Sequence, residues 1–456
     1  MAKYSLEPVK VPLVKTKYRT IATSLPVPES LPIFQQLAES EPVSMMGQPP
    51  VIWDSAEGFI VSDRWGNKWI DWSSGVLITN AGHGRKEIAD ALKKVIDQKL
   101  LATYVFVHEK RAELTRMLQE LAPTPSEYQV FLLSTGSEAT ENCIKLAKTY
   151  AIEKHGPNKK YLVSFRNAFH GRTLGSQLAG GNPRLKTWIV DEGRTFIQVP
   201  FPDGYKNENI SFNLFTRTLK EKGINPRDIA GVMTESYQGV GPDFLPVEYA
   251  QKLEEFCREN DIITIYDEVQ SGFGRTGKMF CYEHYGIRPD LIACGKGISS
   301  SLPLSAVIGR KDIMSLYSPG SMTSTHSGSP LPVVAAVENL KIIHKENLVE
   351  NARKMGEIML PELERIRKKY PDVLGCLQGK GLVAGIQVVK KGTKQPDPDT
   401  AVKINEKCFH KGLLMFAPVG VGGECLKIAP PLVITEEALK EAIGVFEEAC
   451  DEILGT

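Results

Sequence analysis

The segment Ile262 to Lys278, IITIYDEVQSGFGRTGK, carries an acid, a glycine-rich turn and a lysine, and three chemistries compete for it. As GFGRTG it fits the three-glycine spacing of a dinucleotide-binding turn, with Asp290 where a ribose-binding acid could sit. As Gly272 to Lys278 it nearly fits a phosphate-cradling P-loop. Neither context is right. A dinucleotide turn follows its strand directly, whereas Asp267 to Ser271 intervene here, and Met279 stands where the P-loop needs Ser or Thr. The third reading uses the acid. Strand IITIY would deliver Asp267 at its carboxyl end, where ligands bind in open α/β sheets, and a second strand, DLIACGKG, would deliver Lys296 at its own. An amine and a carboxylate so placed suit pyridoxal 5′-phosphate, whose aldehyde needs a lysine for a Schiff base and whose ring nitrogen must stay protonated to accept electrons. Asp267 would hold that proton by charge pairing in a low-dielectric site. Taken singly, Asp267 reads as a helix cap and Lys296 as a surface lysine.

The stretch STGSEATENCIKLAK adds an anion seat. Gly136 and Ser137 open a helix whose apolar face is Ala139, Cys143, Leu146 and Ala147, so backbone amides and a hydroxyl would meet a phosphate at the helix N-terminus. An ordinary Ser-capped helix with Glu138 and Glu141 in its first turns is the plainer account.

Elements that must position these residues are visible as rhythm. From about 128 to 310 the apolar runs YQVFLLS, KKYLVSF, TFIQVP, IAGVMTE, DIITIYDEV, DLIACG and LSAVIG alternate with helical or loop stretches, which predicts an α/β domain with a mostly parallel seven-stranded sheet. Before it, GFIVSDRWGNKWIDW (58–72) reads as a hairpin turning at Asp63, Gly66 and Asn67. GRKEIADALKKVIDQ reads as an amphipathic helix with Ile88, Ala91, Leu92, Val95 and Ile96 on one face. After residue 330 come long helices, one with Leu348, Ala352, Met355, Met359, Leu363 and Ile366 in phase and Pro361 set to kink it. Strand-like GLVAGIQVV and LKIAPPLVI follow, then a last helix bearing Leu439, Ile443, Phe446, Cys450 and Ile453. The expected division is an N-terminal segment (1–80) that joins the small domain, a large cofactor-binding domain (81–335) and a small α+β C-terminal domain (336–456).

Bulk properties set the frame. Lys plus Arg total 55 against 54 acidic residues, so the net charge of +1 offers no basis for a nucleic-acid or membrane-surface partner. The eight cysteines are scattered singly, with neither metal-site nor disulfide spacing, which fits a reducing compartment. No run of about 18 apolar residues exists, and the N-terminus lacks the apolar segment of a signal peptide. A cytoplasmic location is expected.

Together STGSEATEN, FHGRT, YDEVQSGFGRTGK and CGKG, in this order and spacing, resemble the class III pyridoxal-phosphate aminotransferases, the 4-aminobutyrate (ω-amino acid) branch in particular. Weaker matches at DRWGNKWIDWSSG, Gly82–His83, THSGSP (325–330), GKGLVAGI (379–386) and APPL (429–432) extend the likeness from about Thr23 to Ile443. The resemblance implies the fold-type I architecture, a homodimer with shared active sites, and ping-pong transfer of an amino group to a 2-oxo acid. It assigns the cofactor phosphate to Gly136 and Ser137, ring stacking to Phe169, the ring hydroxyl to Gln270, and the neighbouring subunit's phosphate to Thr325. His170 and Glu235 join the cofactor contacts on the same basis. Arg172 would bind the far carboxylate of an ω-amino acid, a task suited to a guanidinium, although a structural ion pair is the alternative. Val76 and Tyr104 would line the substrate pocket.

Two departures bear on the acceptor. Relatives that use glutamate and 2-oxoglutarate carry an arginine before the PPL-type segment and a glutamate to pair with it; here those positions are Lys427 and Val240. Gln378 replaces a further arginine before GKGL. Lysine lacks the planar fork, so pyruvate becomes at least as good an acceptor candidate as 2-oxoglutarate. Racemase, aminomutase and phospho-lyase reactions on the same scaffold, and more distantly a nucleotide-binding role for GFGRTGK, are the competing readings.

Overall fold

Seven strands form the central sheet of the computed structural model, which describes residues 4–190 and 192–455. In chain order they are β1 (Tyr128–Leu133), β2 (Tyr161–Phe165), β3 (Phe196–Val199), β4 (Ile229–Glu235), β5 (Ile263–Asp267), β6 (Leu291–Cys294) and β7 (Ser305–Arg310). Their spatial order is β1-β7-β6-β5-β4-β2-β3. Every pairing is parallel except those of β7, which runs antiparallel to both β6 and β1. All seven apolar runs read from the sequence are these strands. β4 and β5 are buried at every residue, as expected of strands covered on both faces, and that is why they appear as unbroken apolar runs.

Helix α1 (Gly136–His155) covers the middle of this sheet. Ala139, Cys143, Leu146, Ala147 and Tyr150 are buried in one core with Leu133, Met233, Ile265, Ala293 and Val307. A reciprocal box starts the helix: Thr135 accepts from the Glu138 amide, and the Glu138 carboxylate accepts from the Thr135 amide. Thr135, not Ser137, is therefore the cap, which leaves the Ser137 hydroxyl outside the capping arrangement. Gly156, at φ 86°, ends the helix.

This sheet belongs to a compact unit of residues Lys86–Val349; the stretches before and after it form the other unit. There the hairpin Ile60–Ser62 with Lys68–Asp71 is antiparallel, and Leu413–Leu414 adds in parallel to Lys68–Asp71, so both ends of the chain share one six-stranded sheet. Asp63 builds the hairpin turn by accepting from the Trp65 and Asn67 amides at 2.9 Å each. A three-stranded antiparallel sheet joins Leu374–Lys380, Val383–Val388 and Cys425–Ile428.

Some sequence expectations change. The strand in LKIAPPLVI stops at Ile428, because Pro430 and Pro431 have no amide to give a ladder. Ile96, in phase with its helix's apolar face, is 52% exposed. Pro361 lies within a continuous helix, Leu348–Lys369. Strand Leu374–Lys380 was hidden by Gly375 and Gly379, which break its alternation. All eight cysteines are free, and no described helix is long and apolar enough to cross a membrane.

Candidate active site

Five strand ends converge on one cavity of about 300 Å³. Thr135, Gly136 and Ser137 follow β1, and Phe169 to Arg172 follow β2. Glu235 ends β4, Asp267 ends β5 with Val269 and Gln270 just beyond, and Lys296 follows β6. Because β4, β5 and β6 are adjacent and parallel, Glu235, Asp267 and Ala293 lie in one register row. The sheet topology thus sets the acid and the lysine at the same edge.

Asp267 is buried and doubly engaged. Its Oδ2 lies 2.8 Å from His170 Nδ1, and its Oδ1 accepts from the Val269 amide at 3.0 Å. It is no helix cap. His170 is also buried, and its Nε2 has no partner among the described residues. Beside them Glu235 accepts from the Phe169 amide (2.9 Å) and the Gly239 amide (2.8 Å). Burial, helped by the Asp267 charge and opposed by His170, pushes the Glu235 carboxyl up to about 7.

Lys296 is no surface lysine. It sits at φ 43° in the left-handed region, straight after the extended Gly295, and its amine makes no hydrogen bond or ion pair with a described residue. Burial lowers its pKa, against the pull of Asp267 and Glu235, which makes the neutral, nucleophilic amine more accessible. In the same cavity, the Gly136 and Ser137 amides at the start of α1 have no acceptor among the described residues. A Cβ on Gly136 would lie 2.9 Å from Val269 Cγ1, so only glycine lets the β1 and β5 loops meet here.

The sequence-derived residues divide into three groups. Gly136, Ser137, Phe169, His170, Arg172, Glu235, Asp267, Gln270 and Lys296 line the cavity together. Phe169 is half-buried with the Arg172 guanidinium 5.4 Å from its ring centre, so it is not a core phenylalanine. Arg172 has no carboxylate partner among the described residues. In the same unit, Thr325 lies in an exposed turn, Tyr104 is 44% exposed with its hydroxyl 3.4 Å from Thr323 Oγ1, and Val240 lies in the turn after Gln238; none lines this cavity. Val76 and Lys427 belong to the other unit, Lys427 buried in Cys425–Ile428 and Val76 at φ 65° in a left-handed turn. Thr135, Gly171 and Val269 line the cavity without having been singled out. The T-x-x-E spacing with Glu138 was the readable signal for Thr135, and Gly171 and Val269 lie within the FHGRT and YDEVQSGFGRTGK motifs.

The GFGRTGK segment forms buried turns that neither follow a strand directly nor open a helix, with Arg275 fully buried. That corrects both nucleotide-binding readings. A larger, more open cleft of about 810 Å³ around Arg111, Arg116 and Lys311 has no paired acid and lysine. Among the described residues no group of three or more His, Cys, Asp or Glu is placed to hold a metal ion.

The donor set fits pyridoxal phosphate: open amides at a helix start for the phosphate, a buried carboxylate held by an orphaned histidine for the ring nitrogen, and an unbonded lysine amine. Comparison with known proteins agrees. The chain belongs to the class-III aminotransferase family, whose model matches residues 43–450. It is a pyridoxal-phosphate-dependent transaminase of fold type I. It is 31% identical to a 4-aminobutyrate aminotransferase of Mycobacterium leprae, over 94% of this chain and 97% of that one. A Bacillus anthracis aminotransferase superposes with TM-score 0.83 at 30% identity, over 93% and 99% of the two chains. A pyridoxal-phosphate-bound amine transaminase from an uncultivated Pseudomonas superposes with TM-score 0.81 at 26% identity, over 88% and 95%.

Proposed function

We propose that the enzyme takes the terminal amino group of an ω-amino acid or amine, releases the oxo product, and then passes the nitrogen to a 2-oxo acid in a ping-pong cycle. The observation that carries the donor class is Arg172, a guanidinium at the cavity with no carboxylate partner among the described residues. A planar fork binds a substrate carboxylate bidentately, which would fix the far end of the donor.

When bound, the cofactor supplies the electron sink and the carbon that carries nitrogen between the two substrates. Gly136, Ser137 and the start of α1 would hold its phosphate, Phe169 its ring face, Gln270 its ring hydroxyl, and Asp267 the proton on its ring nitrogen. Asp267 is oriented for this by His170, and Glu235 lies beside the pair. Lys296 would hold the cofactor's aldehyde carbon, and its free amine would move a proton at the donor carbon, a role its lowered pKa favours. Lys427 and Val240, in place of the arginine and glutamate of 2-oxoglutarate users, support pyruvate as an acceptor at least as good as 2-oxoglutarate.

We place the enzyme in the cytoplasm as a homodimer. Its free, mostly buried cysteines support a reducing compartment. Thr325, exposed and away from its own chain's cavity, is available to a partner's cofactor phosphate.

A donor and acceptor matrix tests the reading: 4-aminobutyrate, β-alanine, taurine, diamines and simple amines against pyruvate and 2-oxoglutarate. Sustained product formation should require both substrates, and Arg172→Ala should raise KM for carboxylate-bearing donors about 10- to 100-fold, the worth of a charge-assisted pair. Many turnovers without any oxo acid would refute transamination as the main reaction, and equal KM changes for all donors would refute the role of Arg172.

A further inference from the structure

Arg172 sits on a loop, and a loop residue selects substrates only if something holds the loop. The segment Phe169–Thr173 leaves the sheet edge and enters helix α2 (Leu174–Ala179); Ser137 of α1 accepts from the Arg172 amide at 3.4 Å, and two further side chains of α1 grip the segment at its two ends. Thr140 holds the first end: its Oγ1 donates to the His170 carbonyl at 2.7 Å and meets Ser176 Oγ at 2.7 Å. Glu141 holds the second. Its Oε1 accepts from Thr173 Oγ1 at 2.6 Å, the Gly175 amide at 2.8 Å and the Ser176 amide at 3.1 Å. Position 175 must be glycine for this, since a Cβ there would lie 2.2 Å from Glu141 Oε2. Glu141 does not line the cavity, and it makes no ion pair with Arg172.

We infer that Glu141 is the positioning residue of the donor-carboxylate site: by clamping Thr173, Gly175 and Ser176 onto α1, it fixes where the neighbouring Arg172 guanidinium stands. The inference rests on the reading of Arg172 given above. Thr140 separately anchors the His170 end, so loss of Glu141 removes the bonds to Thr173, Gly175 and the Ser176 amide, loosens the Arg172 end of the loop and leaves the Asp267–His170 pair in place. The consequence is selective. Donors with a far carboxylate depend on Glu141, and donors without one do not.

The test uses holoenzyme of Glu141→Ala and the conservative Glu141→Gln, with Arg172→Ala as reference. In Glu141→Ala, amide hydrogen exchange over 173–179 should quicken at least about tenfold, in apoenzyme as well as holoenzyme, while β4 and β5 stay protected. KM for 4-aminobutyrate should rise about tenfold with that for butylamine within about twofold, and adding Glu141→Ala to Arg172→Ala should not change the ratio further. Glu141→Gln, which keeps an acceptor oxygen, should fall between; if the alanine variant does not fold, Glu141→Gln and Thr173→Val carry the same comparison. Unchanged exchange, or KM rising equally for both donors while Arg172→Ala discriminates, overturns the inference alone. If Arg172→Ala does not discriminate either, the donor reading falls and takes the inference with it.

Discussion

At the residue scale the chemistry of the cavity turns on Asp267. Its carboxylate is oriented from two sides, by the Val269 amide and by His170, so substitution tests charge more than shape. Asp267→Asn keeps the size and one acceptor oxygen but loses the negative charge that would hold a proton on a ring nitrogen. Turnover should fall on the order of 100-fold or more, with Lys296 still able to take up the cofactor; steady-state rates together with the visible spectrum check this. A variant with near-normal turnover would place the electron sink under some other control. Asp267 and Lys296 were legible in the sequence because each ends a recognisable strand and the chemistry demands the pair. Glu141 was not, since nothing in an acid on the second turn of a helix announces that a loop 30 residues later will close over it.

At the element scale, helix Val247–Glu259 packs on the sheet with a polar group under strain of burial. Glu254 has a buried Oε2 without a partner among the described residues, and burial plus the nearby Asp290 charge raise its carboxyl to about 7, with the Arg288 amide and Arg258 opposing. The folded state thus keeps a proton that the unfolded chain releases above 4.5. Stability from this group is undiminished below that pH and is lost as pH rises towards 7, by up to about 3 kcal/mol. Glu254→Gln should therefore raise Tm at pH 8 and leave it unchanged near pH 4.5, as thermal unfolding of the apoenzyme would show. A gain of equal size at both pH values would contradict the assignment. Elements of this sheet were readable because buried parallel strands are continuous apolar runs. Leu374–Lys380 was not, because two of its seven residues are glycines, and LKIAPPLVI over-extended because apolar content says nothing about amides that proline lacks.

At the scale of the whole molecule, the larger unit exposes apolar residues in more than one stretch, and the stretch near the cleft-side turn 101–107 is the longest run of them. Leu101, Phe106 and Val107 are 55, 75 and 83% exposed in a short stretch, more than scattered surface apolar residues explain. The proposed homodimer interface would account for them, and for Thr325 standing apart from its own cavity. Phe106→Asp should weaken self-association about 10- to 100-fold, from the worth of one buried aromatic ring, and should lower cofactor affinity alongside. Light scattering and cofactor titration across protein concentration would show both. A variant that dimerises normally would move the interface elsewhere.

The covalent site itself offers the most direct measurement. Holoenzyme reduced with borohydride, digested and mapped by mass spectrometry should carry the pyridoxyl group on Lys296, lose its yellow colour and fail to regain activity on dialysis against fresh cofactor. A label on any other lysine, or colour and activity that survive reduction, would contradict the assignment of this cavity.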